Sequence, residues 1–288
     1  MDWAASNLNS LYDLVCRGLD ALLPFSWISP AFMKTPFLMM LILCPTAAAV
    51  GTVAVNARMS FFTEALSHSA FTGVALGIMM GLHPTLIMFA FGCAVALAIT
   101  FLRRNATVSM DTAVGVMLSL SVALGVVVIT ATKFRNADRF LFGDVLLTEK
   151  SDLGMALLLA VIVFGFLALT YNRLLMIGLD ARLARAWGVN TFIYEYLFSL
   201  LVAVVVMMSV ASAGVLLVTA LIIVPAAAGR SLARGAGSMF WCSVAVSLVA
   251  GVGGFIASFY LNSATGGTIV LAAGAIFGIS VIYRAIRG

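Results

Sequence analysis

The chain has 288 residues, 63% of them hydrophobic and only 9% charged, and 16 Lys and Arg against 11 Asp and Glu leave a net charge of +5. A soluble domain carries about 25% charged residues, and the few polar residues here could not cover so much apolar surface. Soluble enzymes, nucleic-acid-binding modules and disordered chains are thereby excluded, and an integral membrane protein remains.

Residues 1–34 come first, as an amphipathic extension lying on the outer surface, with Trp3, Tyr12 and Trp27 as interfacial anchors. They hold Asp2, Asp13 and Asp20 and lack a basic start, a long apolar run and a small-residue cleavage site, so no removable signal peptide is expected. Residues 35–288 form the transmembrane domain. Apolar runs fall near 35–55, 59–80, 84–102, 111–132, 153–172, 192–211, 213–228, 238–261 and 268–283. Each is far longer than a barrel strand of about 10 residues, and only helices satisfy such a backbone in lipid. The fold class is therefore an all-α polytopic bundle of eight or nine spans. The 213–228 run sets the uncertainty in that count, because only Ser212 and Ala213 part it from its predecessor, as a short or broken helix would be.

Alternating the spans puts Arg58, Arg103, Arg104, Arg173, Arg182, Arg185, Arg230, Arg234, Arg284 and Arg287 on one side, and the other six basic residues opposite. The richer side is cytoplasmic by the positive-inside rule. The 133–152 loop adds four basic residues to the outer side, accompanied by Asp138, Asp144, Glu149 and Asp152. Cys16, Cys44, Cys93 and Cys242 are too scattered for a zinc ribbon or redox pair and read as small apolar fillers. Small residues such as Thr46-Ala-Ala-Ala49, Gly73-x-x-x-Gly77 and Gly251-x-Gly253-Gly254 let helices approach closely in lipid.

Charge inside a span is rarer and says more. The second run contains Glu64 and His68. Counted from Arg58, they lie about 9 and 15 Å into a core about 30 Å thick. Their i, i+4 spacing puts both on one helix face, within reach of one ion. Carboxylate plus imidazole suits zinc or manganese, and two such pairs meeting at a twofold axis would supply four ligands. The plainer alternative has Glu64 snorkelling to the cytoplasm and His68 bonding a neighbouring helix. The cost of burying ionisable groups favours the ion pathway.

The longest cytoplasmic interruption is Gly178-Leu-Asp-Ala-Arg-Leu-Ala-Arg-Ala-Trp-Gly-Val-Asn190. Asp180 can cap a short helix that Gly188 closes, with Arg182 and Arg185 facing out. Such a helix either docks a soluble partner or lies on lipid headgroups. No G-x-x-x-x-G-K-[ST] loop occurs, since the one Lys-Ser pair, Lys150-Ser151, follows Glu149 where the loop needs glycine. ATP-driven transport would thus need a separate ATPase. H-E-x-x-H and G-x-S-x-G are missing too, which leaves an intramembrane hydrolase without support.

Four stretches resemble the integral-membrane permease subunits of bacterial ABC importers for zinc and manganese. They are Glu64-Ala-Leu-Ser-His-Ser-Ala-Phe-Thr-Gly73 with Val-Ala-Leu-Gly77 after it, Leu141-Phe-Gly-Asp-Val-Leu146, Asp180-x-x-x-Ala184-x-x-x-Gly188, and Ala213-Gly-Val-Leu-Leu-Val-Thr-Ala-Leu-Ile-Ile-Val-Pro-Ala-Ala-Ala228. The resemblance implies a compact bundle like that of the cobalamin and siderophore importers, in the inner membrane. It implies a second permease copy, identical or paralogous, a cytoplasmic ATP-binding subunit, and an extracytoplasmic metal-binding protein that delivers the ion. Glu64 and His68 would line the metal passage, and Asp180, Ala184 and Gly188 would belong to the coupling helix seated on the ATPase. The chain itself would be no enzyme and hold no permanent cofactor; Zn²⁺ or Mn²⁺, with iron a further candidate, would be cargo. Two departures stand out: Glu64 where the family usually has aspartate, and Ser263-Ala-Thr-Gly-Gly-Thr268 in place of a Pro-Ser-Gly turn. Two rival readings use the same Glu–His pair, a proton-coupled secondary metal transporter and a non-transporting scaffold.

Overall fold

The computed structural model describes residues 31–105, 108–132 and 150–287. Residues 1–30, with the expected surface anchors, and the 141–146 stretch lie outside the described residues. The helices are α1 (Ala31–Asn56), α2 (Ser60–Met79), α3 (Pro84–Asn105), α4 (Met110–Thr132), α5 (Lys150–Leu179), α6 (Ala181–Ala186), α7 (Thr191–Ala213), α8 (Val215–Leu232), α9 (Ala236–Leu261) and α10 (Thr265–Arg287). A long helix thus stands at each of the nine apolar runs. The first begins at Ala31 and takes in Lys34.

Seven of the described helices are long and apolar enough to cross a membrane unaided. The two that fall short are α2 and α8. In α2, which has 20 residues, Thr63, Glu64, Ser67, His68, Ser69 and Thr72 dilute the apolar content. The break before α8 falls at Gly214, one residue beyond the expected separator Ala213. Gly214 has φ +82°, a conformation that a side chain resists, and α8 is correspondingly short with an apolar stretch of Leu217–Leu232.

The hub is α1, whose span is 83% buried against 28% for α4 and 17% for α10. It packs against α5, α8 and α9, while α2 lies among α3, α4, α7 and α8. Pro36 and Pro45 sit inside α1, and each removes an amide donor. Near Pro45 the Thr46 hydroxyl donates to the Ile42 carbonyl (2.7 Å) and the Ser247 hydroxyl to the Cys44 carbonyl (2.8 Å), so side chains supplement the interrupted ladder.

Glycines do what the small-residue pattern predicts. A Cβ on Gly73 would meet the Met88 Cα at 2.6 Å, and one on Gly77 the Pro84 Cα at 2.7 Å, so α2 and α3 touch backbone to backbone. On the far side Gly254 similarly fits against Ile269 of α10. Cys44, Cys93 and Cys242 are free thiols that fill space.

Four helices end alike. After α1, α2, α6 and α9 a residue of positive φ (Arg58, Gly81, Gly188, Asn262) turns the chain, and two amides reach back to the last-turn carbonyls, as in Met59 to Ala54 and Arg58 to Val55. These caps satisfy carbonyls that would otherwise stand bare at the membrane surface.

Replacing Gly73 by valine should push α2 and α3 apart and cost about 1–3 kcal/mol, occasionally more, as overpacking does. Gly253, which faces open space, should accept alanine without loss. Thermal unfolding of the two variants in detergent checks the contrast.

Candidate functional site

Within α2 the hydroxyls beyond the first residue are spoken for. Ser67 donates to the Thr63 carbonyl (2.9 Å), Ser69 to that of Leu66 (2.7 Å), and Thr72 crosses to the Ser121 carbonyl of α4 (2.6 Å). Phe62, Ala65, Leu66 and Ala70 are sealed against neighbouring helices. One stripe is left uncovered by the other described helices, and it runs through Phe61, Glu64, His68 and Phe71 at intervals of three and four residues. Glu64 and His68 are half-buried on that stripe. Among the described residues neither has a hydrogen-bond or ion-pair partner. Neither is sealed inside the protomer, and no described neighbour bonds His68, as the structural alternative required.

The chain thus brings Glu64 and His68 onto one open face, as the i, i+4 spacing predicts. Among the described residues no group of three or more His, Cys, Asp and Glu side chains comes together. A four-ligand site would need side chains from beyond the described residues.

Asp180, Ala184 and Gly188 all belong to the construction of α6. The Asp180 carboxylate accepts from the amides of Arg182 (2.7 Å) and Leu183 (3.2 Å). Those two bonds, aided by the Arg182 and Arg185 charges, hold its pKa below the usual carboxylate value. Ala184 is fully buried, and its small side chain lets the helix lie close on α5 and α7. Gly188, at φ +78°, lets its own amide reach the Arg185 carbonyl and that of Val189 reach Ala184, both at 3.0 Å. Leu183 and Trp187 point outward, 53% and 76% exposed, alongside the exposed Arg182 and Arg185. An exposed apolar patch with a charged rim is what a docking surface presents.

Beside α6 lies a cavity of about 580 Å³ lined by Arg103, Arg104, Asp180, Arg182, Arg185 and Glu195. Both α3 arginines converge on one Glu195 oxygen, Arg103 at 2.9 Å and Arg104 at 2.7 Å, and Arg104 also lies over the Phe192 ring. Below them Thr100 donates to Ser199 (2.7 Å), which donates to the Glu195 carbonyl (2.8 Å), so α3 is locked to α7. Sequence reasoning passed over Glu195, which stands 91 residues from Arg104. Its being the sole acid of an apolar run was the available signal. The clustering of these arginines at one end assigns that end to the cytoplasm.

The sequence profile described as the ABC 3 transport family matches residues 29–284. The manganese transport system membrane protein MntC of Listeria monocytogenes is 30% identical over 272 residues, 94% of this chain and 95% of its own length. The high-affinity zinc uptake system membrane protein ZnuB of Haemophilus influenzae is 30% identical over 246 residues, 85% of this chain and 94% of its own. Among solved structures, PsaBC from Streptococcus pneumoniae in complex with Fab superposes with a TM-score of 0.77 at 28% identity, covering 95% of this chain and all of that one.

The lowered pKa of Asp180 means that its cap is present at neutral pH and fades as pH falls through the folded-state value, the unfolded carboxylate taking up its proton first. Protection of the Arg182 and Leu183 amides against hydrogen exchange, taken relative to the intrinsic rate at each pH, should fall in Asp180→Ala and at acid pH. It should stay near wild type in Asp180→Asn, since asparagine also caps.

Proposed function

The chain belongs to the ABC 3 transport family, as a multi-pass permease subunit and not an enzyme, and from that premise we propose that it conducts Mn²⁺ or Zn²⁺ inward through Glu64 and His68. An ABC system with its own ATPase and substrate-binding protein is the setting. The observation that carries the proposal is the half-buried, unpartnered acid and imidazole on the uncovered stripe of α2. An ionisable group at that depth with no structural partner is costly unless it serves a passing ion.

In this reading two copies face one another across the α2 stripes, so that both Glu64 and both His68 side chains converge on the ion. Delivered metal enters from the outside, sheds water and is held by four nitrogen and oxygen ligands, the number that zinc prefers and a donor type that manganese accepts. A conduit needs a site tight enough to admit and weak enough to release. Two ligands from each side, with no bracing hydrogen bond to either, suit the second requirement. ATP binding and hydrolysis in the partner move α6, and the bundles rock to open the site inward. The exposed Leu183 and Trp187 would seat in the ATPase, while the Asp180 cap and Gly188 turn keep α6 rigid enough to transmit force.

His68→Ala should abolish metal uptake in proteoliposomes holding the whole complex while the ATPase still co-purifies; uptake at the wild-type rate would remove the site. Glu64→Asp, which shortens the ligand by one methylene, should keep uptake measurable. Competition among Mn²⁺, Zn²⁺ and Fe²⁺ in the same vesicles identifies the cargo. If vesicles without ATPase accumulate metal on a pH gradient alone, the proton-coupled reading replaces this one.

Gly188→Val should leave ATP hydrolysis running but separate it from uptake, because a β-branched residue resists φ +78° and the end of α6 must rearrange. Unchanged coupling, measured as metal moved per ATP, would count against the role of α6.

A further inference from the structure

Both α5 and α9 pack on α1 while their backbones stay apart, and side chains alone bridge the groove left between their cytoplasmic halves. Its deeper part is a cavity of about 460 Å³ walled by Phe164, Leu167, Tyr171, Phe240 and Trp241. The rings brace each other edge to face: Phe164 with Phe240 at 6.4 Å, Tyr171 with Phe240 at 5.5 Å, Phe240 with Trp241 at 5.4 Å. The Tyr171 hydroxyl donates to the Ala236 carbonyl (2.9 Å), so the phenol is turned to the wall and its ring to the groove. Towards the cytoplasm follows a second cavity of about 280 Å³, where Leu175 and Leu179 continue the same face of α5 and Arg230 and Arg234 form the rim. Both arginines are exposed, and among the described residues neither is paired with a carboxylate.

The two cavities grade from aromatic to cationic along one line. From Phe164 to Leu179 that line runs about 22 Å, the depth of one leaflet with its headgroup layer. The charge lies at the surface and the rings lie in the hydrocarbon. A free anion would have no use for the rings, and a peptide would have to place polar backbone at membrane depth. We propose that the groove holds one anionic phospholipid of the cytoplasmic leaflet, its phosphate on Arg230 and Arg234 and an acyl chain against Phe164, Phe240 and Trp241. Guanidinium groups bind phosphate in two-pronged fashion, and the leaflet that meets these arginines is the anionic one.

Native mass spectrometry of the full chain in detergent tests this, with phosphatidylglycerol and phosphatidylcholine of identical acyl chains added in turn. Phosphatidylglycerol should be retained preferentially by roughly 30-fold, the factor expected of two arginines at such a surface. Arg230→Gln with Arg234→Gln should erase the preference, and Arg230→Lys with Arg234→Lys should keep most of it. Trp241→Ala should weaken both lipids alike. Arg284→Gln with Arg287→Gln, at the end of α10 and outside the groove, should change nothing. Equal retention of the two lipids, or a loss in the α10 variant as large as in the groove variant, overturns the proposal. So does displacement of the lipid by inorganic phosphate at matching concentration, which would mark a headgroup-only anion site. Retention by monomers but not by dimers also overturns it, for the groove would then be an interface between copies.

Discussion

A helix as polar as α2 cannot face lipid around its whole circumference, and the rest of the bundle is arranged to meet that constraint. Hydrocarbon offers no partner to a hydroxyl, a carboxylate or an imidazole. Ser67 and Ser69 therefore turn back on their own helix, and Thr72 reaches α4. Gly73 and Gly77 draw α3 close enough to wall off one side, and α7 and α8 take another. The two ionisable groups of this helix, Glu64 and His68, are left half-covered and unbonded by the described chain. The polar content that makes α2 a poor membrane span is what makes it a candidate ion path.

Much of this was legible in the residues themselves. Hydrophobic runs located every long helix, because lipid leaves the backbone no other choice. The shared face of Glu64 and His68 followed from helical spacing, and the cap and closing glycine of α6 from short-range chemistry at Asp180 and Gly188; Ala184 entered only through the family resemblance, and its burial needed α5 and α7 in place. Features resting on contacts between distant segments were hidden. Glu195 reads as a stray acid until α3 brings Arg103 and Arg104 to it. The groove between α5 and α9 depends on two backbones held apart with only side chains between them, which no local pattern encodes. The end of α7 was misplaced by two residues because small side chains run through Ser212, Ala213 and Gly214 alike, and only the backbone torsion distinguishes the last.

The cytoplasmic end combines rigidity with exposure. Arg103, Arg104 and Glu195 fasten α3 to α7 with bonds that are charged and partly shielded, and Thr100 and Ser199 add a neutral bond beneath. Next to this fastened pair α6 is clamped at both ends by its own cap and turn, and it presents apolar side chains to the cytoplasm. Force applied there meets a stiff lever joined to a stiff frame.

The joint at Gly214 has a mechanical corollary. A single residue links two rods, and α8, at 18 residues, is about 27 Å long. Swinging that rod by about 30° about its first residue would carry its tip through roughly 14 Å. The pivot therefore does little to fix the heading of α8; α1, α9 and α10 do so by gripping its flanks. A displacement of that grip by a fraction of an ångström near the pivot is several times larger where Arg230 meets the cytoplasm.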